Sequence, residues 1–344
     1  MTAARELGSG ILEWSLGAFP ERAAFSADSA EMAFALGDGR IAVMGVEGQD
    51  ARFFAPHEGG SCMSLAAHPK GGWLSGGDDG RLVYTSPEGE CTMVHEVPGH
   101  WLEVMAASQD GGTLAVAAGR TVLVFDLSLG SMTEYGPHQG NVSGLAFSPA
   151  GGILAATHVG GVSLWDLDEP SEPIFLELRG LNLAPAFSPD GNFLACGHQE
   201  NAIHVVDLAS RKVFQLGGLP AKPGQLAWSL DGRYLMHTGT RAVVCWPVPD
   251  CFNQHPEPVA FAVQEEARMT ALAANTRIPF AAAGFGDGTV LLAELKRFTA
   301  FPLGLDPGFP VSCLCWSGAG LHLACGMEDG RAALLDLGKM LSEG

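Results

Sequence analysis

Apolar runs alternate with short turn signals along most of the chain, and residues 145–167, LAFSPAGGILAATHVGGVSLWDL, show the pattern well. Three apolar runs, GLAF, ILAAT and VSLWDL, are rich in residues that favour β-structure. The first two are separated by Ser148-Pro149-Ala150-Gly151, where Pro fixes φ near −65° and Gly allows positive φ. The second and third are separated by Gly160-Gly161, a hairpin signal. The segment therefore predicts three antiparallel strands.

The same three-strand pattern recurs along the chain, with Asp-Gly at the second turn of several copies. The copies lie about 42 residues apart on average, a spacing typical of propeller blades. The gaps leave room for a fourth strand, which PIFLEL, KVFQL and VAFAV supply after copies four, five and six. Four strands per copy make one blade of a β-propeller. Eight copies are predicted, with third strands that begin at Ile41, Leu82, Val122, Val162, Ile203, Val243, Val290 and Ala332.

The two ends of the chain predict how the propeller closes. The last copy has no fourth strand, and an apolar run at about residues 11–17 precedes the first copy. An unpaired strand edge favours aggregation, so we expect this N-terminal strand to complete the last blade. The sequence thus predicts an all-β protein with a single domain over residues 1–344. That domain is a closed propeller of eight four-stranded antiparallel blades. Seven blades are the alternative, if the first and weakest copy is not a blade.

The FSPDG-like turns, the GxxDGxV turns and the WDL, VDL, FDL and LDL strand ends resemble the WD-repeat β-propeller family over nearly the whole chain. In that family a His, a Ser or Thr, a turn Asp and a Trp form a structural hydrogen-bond network. His138, Thr157 and Trp165 match it in copy four, where Val159 replaces the Asp. His57 and Asp79 match it in copy two, where Gly77 and Thr85 occupy the other places. The resemblance implies structural roles for these matching residues. Structural roles are also expected for Trp246, which lies mid-strand, and for Asp287 and Asp329, which stand in Asp-Gly turns.

Charge and composition limit the classes of partner. The net charge is −19, from 38 acidic and 19 basic residues. A negative field of this size repels phosphate backbones and anionic membranes and favours basic partners. We therefore expect a protein or peptide partner of basic character, no nucleic acid, no membrane, and a monomer in isolation. The eight cysteines include no CxxC pair and there is no apolar signal segment, which favours a cytoplasmic location.

Catalytic motifs are missing from the sequence. It has no GxSxG, P-loop, GxGxxG after a strand, HExxH or CxxCH motif. We therefore predict that the protein is not an enzyme and has no cofactor. A carboxylate site in the central channel stays open as an alternative.

Two groups of residues suggest ligand binding, and each also has a structural explanation. One is a set of arginines that recur just before third strands. They would either form a cationic collar that binds an anionic ligand or neutralise the charge of nearby aspartates: Arg40, Arg81, Arg120, Arg241 and Arg331. The other is a set of histidines near one face, which would bind a transition metal if they converged: His57, His100, His138, His158 and His198. No metal site is predicted, because the ring geometry would spread these histidines apart.

A rigid scaffold with many loops and no reactive cluster predicts a recognition surface. We expect a non-catalytic scaffold that binds a protein or peptide on the face formed by the first-strand entries and the second-to-third turns. A metal- or small-ligand-binding propeller is the alternative. Trp101 is the proposed anchor, because exposed aromatic residues dominate interfaces, although it would also suit packing between blades. The candidate binding residues are Asp78, Trp101, Glu103, His158, Gln199 and Glu328.

Overall fold

The computed structural model describes residues 3–8, 10–169, 172–248, 257–305 and 308–342. Within these ranges 31 strands, β1 to β31, are joined by turns and loops, and one short helix, α1 (Leu337–Ser342), follows the last strand. This confirms the all-β prediction. The chain divides into two compact units, one formed by residues 1–103 and 265–344 and the other by residues 104–264. No helix in the described ranges is both long and apolar enough to span a bilayer.

The first unit contains four antiparallel sheets. One is β3 (Pro20–Phe25), β4 (Glu31–Leu36), β5 (Ile41–Gly45) and β6 (Arg52–Phe54). The next is β7 (Cys62–Ala67), β8 (Trp73–Gly77), β9 (Arg81–Thr85) and β10 (Cys91–Glu96). A third is β25 (Met269–Ala274), β26 (Phe280–Phe285), β27 (Val290–Glu294) and β28 (Thr299–Pro302). The fourth has the order β1-β2-β31-β30-β29, from β1 (Arg5–Gly8), β2 (Ile11–Ser15), β29 (Val311–Trp316), β30 (His322–Met327) and β31 (Arg331–Asp336).

The second unit contains three antiparallel sheets. One is β11 (Met105–Ala107), β12 (Thr113–Ala118), β13 (Thr121–Asp126) and β14 (Ser131–Tyr135). The middle sheet has six strands: β15 (Gly144–Phe147), β16 (Ile153–Asp166), β17 (Ile174–Phe187), β18 (Phe193–His198), β19 (Ala202–Asp207) and β20 (Val213–Leu216). The last is β21 (Leu226–Trp228), β22 (Tyr234–His237), β23 (Val243–Pro247) and β24 (Val259–Phe261).

Eight separate blades were predicted, but the described strands form seven sheets, so this prediction is wrong. The predicted first blade is a complete four-stranded sheet, so the lower number of sheets does not come from its absence. Copies four and five are instead merged into the six-stranded sheet by the 14-residue strands β16 and β17. One half of β17 pairs with β16 and the other half with β18. Pairing therefore continues where the other copies have a loop.

The N-terminal strand completes the last sheet, as predicted. Strand β2 pairs antiparallel with β31, from Ile11 opposite Leu335 to Ser15 opposite Arg331. Trp14 is buried with 1% of its surface exposed, and its indole N–H donates to the Gln49 carbonyl at 3.1 Å. The strand is thus held by backbone pairing and by side-chain burial together.

The middle strands of the sheets carry the core. In β4, β18 and β30 nearly every position is buried, and small residues alternate with larger ones. Runs buried on both faces are expected where sheets are covered on both sides. The outer strands are more polar, and the exposed turns at the strand ends leave room for recognition residues.

Candidate functional site

The loop of residues 97–103 is fixed to the neighbouring turn of residues 77–80 at both of its ends. The Val97 amide donates to the Gly80 carbonyl at 2.8 Å, and the Leu102 amide donates to the Gly77 carbonyl at 3.0 Å. The Ser64 hydroxyl donates to the Leu102 carbonyl at 2.6 Å, and the Leu102 side chain is buried. Gly80 has φ +77°, and a Cβ there would overlap the Val97 carbonyl oxygen. The loop therefore presents its exposed residues from a rigid base.

Trp101 is the main exposed apolar side chain of this loop. It is 63% exposed, which removes the alternative that it packs between blades. Glu103 beside it is also exposed. The Asp78 carboxylate accepts a hydrogen bond from the Ser61 amide at 2.8 Å, so it holds the preceding loop while remaining partly exposed. We call Asp78, Trp101 and Glu103 the loop-face site.

The other three candidate residues do not belong to this arrangement. Glu328 is exposed in the first unit, at the turn between β30 and β31, where its amide donates to the Pro310 carbonyl at 2.9 Å. Gln199 is exposed in the second unit, after β18. His158 is only 1% exposed, with Nδ1 2.8 Å from the Val159 carbonyl and Nε2 3.0 Å from the Ser163 hydroxyl. His158 is therefore unavailable to a partner, because its ring turns inward and stacks on Phe175.

His57 forms a buried hydrogen-bond cluster with Ser75 and Asp79. Its Nδ1 lies 3.1 Å from an Asp79 carboxylate oxygen, and its Nε2 lies 3.0 Å from the Ser75 hydroxyl. The same Asp79 carboxylate accepts the Arg81 amide at 3.0 Å, which shapes the turn. The resemblance placed Gly77 where the network has a Ser or Thr. Ser75, which the family pattern does not single out, lies two residues earlier and points to the same face of β8.

Copy four contains only part of the network that the resemblance implied. The Trp165 indole donates to His138 Nε2 at 3.2 Å, and His138 Nδ1 lies 2.8 Å from the Arg120 carbonyl. Thr157 instead donates to the Gly144 carbonyl at 3.3 Å. Burial lowers the pKa of His138, which favours the neutral ring that accepts the indole N–H.

The remaining structural candidates lie at turns or in packing positions. Asp287 accepts the Thr289 amide at 2.9 Å, and Asp329 accepts the Arg331 amide at 3.1 Å. Trp246 packs against the core of the second unit around β19 and β22. Its Nε1 is buried with no partner among the described residues.

Four of the five predicted collar arginines have local partners. Arg40 pairs with Asp38, Arg81 with Glu96 and Arg331 with Asp329, while Arg120 Nε donates to the His138 carbonyl. The three ion pairs support the explanation that these arginines offset nearby acidic groups. Within the described ranges, no group of three His, Cys, Asp or Glu side chains is arranged to hold a metal ion.

The described cysteines are free thiols and most are buried. Burial raises the pKa of Cys62 and Cys313 to about 12 and that of Cys315 to about 11. Cys313 and Cys315 pack against the same cluster, as their alternation on one strand predicts. Thiols with such raised pKa values are poor nucleophiles near neutral pH. Cys251 lies outside the described residues.

Comparisons with known proteins agree with the repeat pattern. The family model described as "WD domain, G-beta repeat" matches residues 48–84, which span β6 to most of β9. The chain is 23% identical over 197 residues to THO complex subunit 3 of Arabidopsis thaliana, covering 56% of this chain and 60% of that protein. It is 25% identical over 196 residues to the WD repeat-containing protein SL1-17 of Schistosoma mansoni, covering 51% of this chain and 65% of that protein. The matched regions thus span less than two thirds of either relative.

One solved structure with a similar fold is the crystal structure of the computationally designed Ika8 protein. The TM-score is 0.76 at 20% identity, covering 94% of this chain and 97% of that chain. At this identity the similarity concerns the fold alone. The comparisons support the repeat architecture.

Proposed function

Since the chain is a WD-repeat protein, we propose that it is a non-catalytic scaffold that binds a protein partner through the loop-face site. The observation that carries this proposal is Trp101, an exposed indole on a loop that is hydrogen-bonded at both ends. Exposed Trp side chains on rigid supports are common binding hot spots, because little conformational entropy is lost when they are covered.

The proposed partner segment is basic. Glu103 lies two residues from Trp101, the partly exposed Asp78 lies on the turn that holds this loop, and the whole chain carries a net charge of −19. A lysine or arginine beside an apolar residue would complement this surface, because acidic groups attract the cation and the indole covers the apolar part. One relative is named as a subunit of a complex, which supports membership in an assembly for this chain too. A cytoplasmic location and a monomeric state in isolation stay predictions.

We also propose that the six-stranded sheet is two four-stranded blades, with β16 and β17 each counted as two strands, which restores eight repeats. The Leu167 amide donates to the Gly152 carbonyl at 2.9 Å, across the two ends of β16. A straight strand of 14 residues would hold these ends about 45 Å apart, so β16 must fold back as a hairpin. Gly160, with φ +89°, is the bend.

Affinity capture with quantitative mass spectrometry tests the scaffold proposal. Immobilised wild-type protein, Trp101→Ala and Leu129→Ala are compared in a lysate of the source cells. Leu129 is the matched control, because it is 79% exposed and lies in the other unit. We expect one set of proteins to be depleted on Trp101→Ala and retained on Leu129→Ala. Equal capture by all three baits would contradict the loop-face site.

A further inference from the structure

A polar groove in the second unit lies at the strand ends opposite the predicted recognition face. Its volume is about 390 Å³, within the range of about 300–1,000 Å³ that is usual for small-ligand sites. One wall is the sheet β11–β14, and the other is formed by residues 150–152 and 167–168. We call it the β14 groove. Neither the family resemblance nor the loop-face site involves it.

The wall on β14 presents a row of hydroxyl groups. Ser131, Thr133 and Tyr135 alternate along this strand, so their side chains point to the same face. Ser131 lies opposite Asp126 on β13, and Asp126 lies opposite Thr113 on β12. This wall of the groove therefore carries a row of polar side chains across three strands.

Three carboxylates line the groove, and no basic side chain does: Asp110, Asp126 and Asp168. Asp110 Oδ1 accepts the Ser108 hydroxyl and the Gly112 amide, and Asp126 Oδ1 accepts the Ser128 and Leu129 amides. These hydrogen bonds lower the pKa of both groups, which are therefore ionised at neutral pH. In each group the bonds engage Oδ1, so Oδ2 is left for a donor from outside.

Tyr135 gives an independent indication that the groove takes a ligand. The residue is only 7% exposed and its ring packs against Trp165 with the ring centroids 5.0 Å apart. Its hydroxyl has no hydrogen bond to the part of the chain that the structure describes, although the residue lines the groove. The hydroxyl itself is not fully buried, so it faces the groove and is open to a ligand that enters from solvent.

We propose that the β14 groove binds the guanidinium group of an arginine side chain from a partner protein. Guanidinium is planar and has five N–H donors and no acceptor. Its charge is delocalised over several atoms, so it can contact carboxylates that lie apart from one another. Among the described residues these carboxylates do not form a group that could hold a metal ion. A guanidinium group, which is larger than a metal ion, therefore suits them better. Val124 and Leu167 also line the groove and suit the methylene groups of the arginine stem.

Fluorine NMR of the full chain tests this site directly. The chain has three tyrosines, so 3-fluorotyrosine labelling gives three signals, and Tyr135→Phe identifies the one from Tyr135. The probes are capped Gly-Arg-Gly, Gly-Lys-Gly and Gly-citrulline-Gly peptides. We expect the arginine peptide to shift the Tyr135 signal in a saturable way, with the lysine peptide weaker and the citrulline peptide inactive.

The double variant Asp110→Asn and Asp126→Asn supplies the mechanistic control. Asn keeps an acceptor oxygen for the turn amides but loses the charge, so the fold is preserved while arginine affinity falls about tenfold or more. An unshifted Tyr135 signal, or equal responses to the arginine and lysine peptides, would overturn the guanidinium site. Trp101→Ala should leave the titration unchanged, which separates this result from the outcome for the loop-face site.

Discussion

Buried histidines fix several turns of this protein, and His57 is the clearest case. Both ring nitrogens have a partner, the Ser75 hydroxyl on one side and the Asp79 carboxylate on the other. The cluster joins the loop before β7 to the turn after β8. Since that turn supports the loop of Trp101, a local hydrogen-bond cluster supports the proposed recognition residue.

Ser75→Ala is predicted to destabilise the protein although it removes only one oxygen. The change leaves His57 Nε2 buried without a partner, which costs about 1–3 kcal/mol. Thermal unfolding should show a melting temperature lower by several degrees. Thr92→Ala is the control, because Thr92 is exposed on β10 of the same sheet and should change stability by less than about 0.5 kcal/mol. Equal effects of the two changes would show that the cluster contributes no stability.

The protein should lose stability in mild acid because of its buried histidines. Burial lowers the pKa of His138, His204 and His237, so the unfolded chain binds protons more readily than the folded one. The contribution is intact above about pH 6.5, the ordinary histidine pKa, and is lost as the pH falls toward the folded values.

His237→Leu tests this explanation at one position. His237 Nε2 is buried with no hydrogen-bond partner among the described residues, so the change removes an unpaired polar atom. We expect a smaller drop in melting temperature between pH 7.5 and 5.5 than in the wild type. An unchanged drop would mean that His237 titrates alike in the folded and unfolded states.

At the scale of strands, β2 makes the contact that joins the two ends of the sequence. It pairs with β31 and buries Ile11 and Trp14, and Leu16 directly after it is also buried. Each large apolar side chain contributes about 1.5–3 kcal/mol when fully buried. The sum is comparable to the 5–15 kcal/mol that stabilises a typical domain.

Removal of residues 1–18 should therefore cause aggregation or a melting temperature many degrees lower. Trp14→Ala is the finer test, with an expected cost of about 3–5 kcal/mol. Trp101→Ala makes the same chemical change at an exposed position and should leave the melting temperature nearly unchanged. Size-exclusion chromatography and thermal melts measure both effects. A truncated protein that stays monomeric and melts like the wild type would show that β2 is dispensable.

The strands were predictable from alternating apolar residues and Gly-containing turns, but the merging of two copies was not. Between the fourth strand of copy four and the first strand of copy five the chain has only the short link around Gly180. The residues on both sides favour β-structure, so pairing extends through the link. Sequence spacing fixes how often a unit recurs and does not show where one sheet stops.

The candidate sites were predictable only in part, because exposure depends on neighbouring elements. Trp101 was identified from its position in a loop, and its exposure required the structure. His158 has the same kind of position but turns inward onto Phe175. The alternating hydroxyls of β14 are visible in SMTEY, whereas the opposite wall of the β14 groove comes from a separate turn.

At the scale of the whole molecule, the net charge of −19 is expected to attract basic partners and to speed their association. This attraction acts over about 8 Å at physiological ionic strength, so it assists many encounters without selecting among them. Selection requires a rigid, exposed anchor. The two features therefore have separate roles, because the negative field increases the association rate and Trp101 slows dissociation.

The most direct test is the affinity of the protein for a partner recovered by affinity capture. Biolayer interferometry would measure this affinity for the wild-type, Trp101→Ala and Leu129→Ala proteins at 50 and 300 mM salt. We predict that Trp101→Ala weakens binding about thirtyfold through faster dissociation, as expected for a hot spot of about 2 kcal/mol. Leu129→Ala should change the affinity less than twofold, and higher salt should slow association for all three proteins. An affinity unaffected by Trp101→Ala would contradict recognition through the loop-face site.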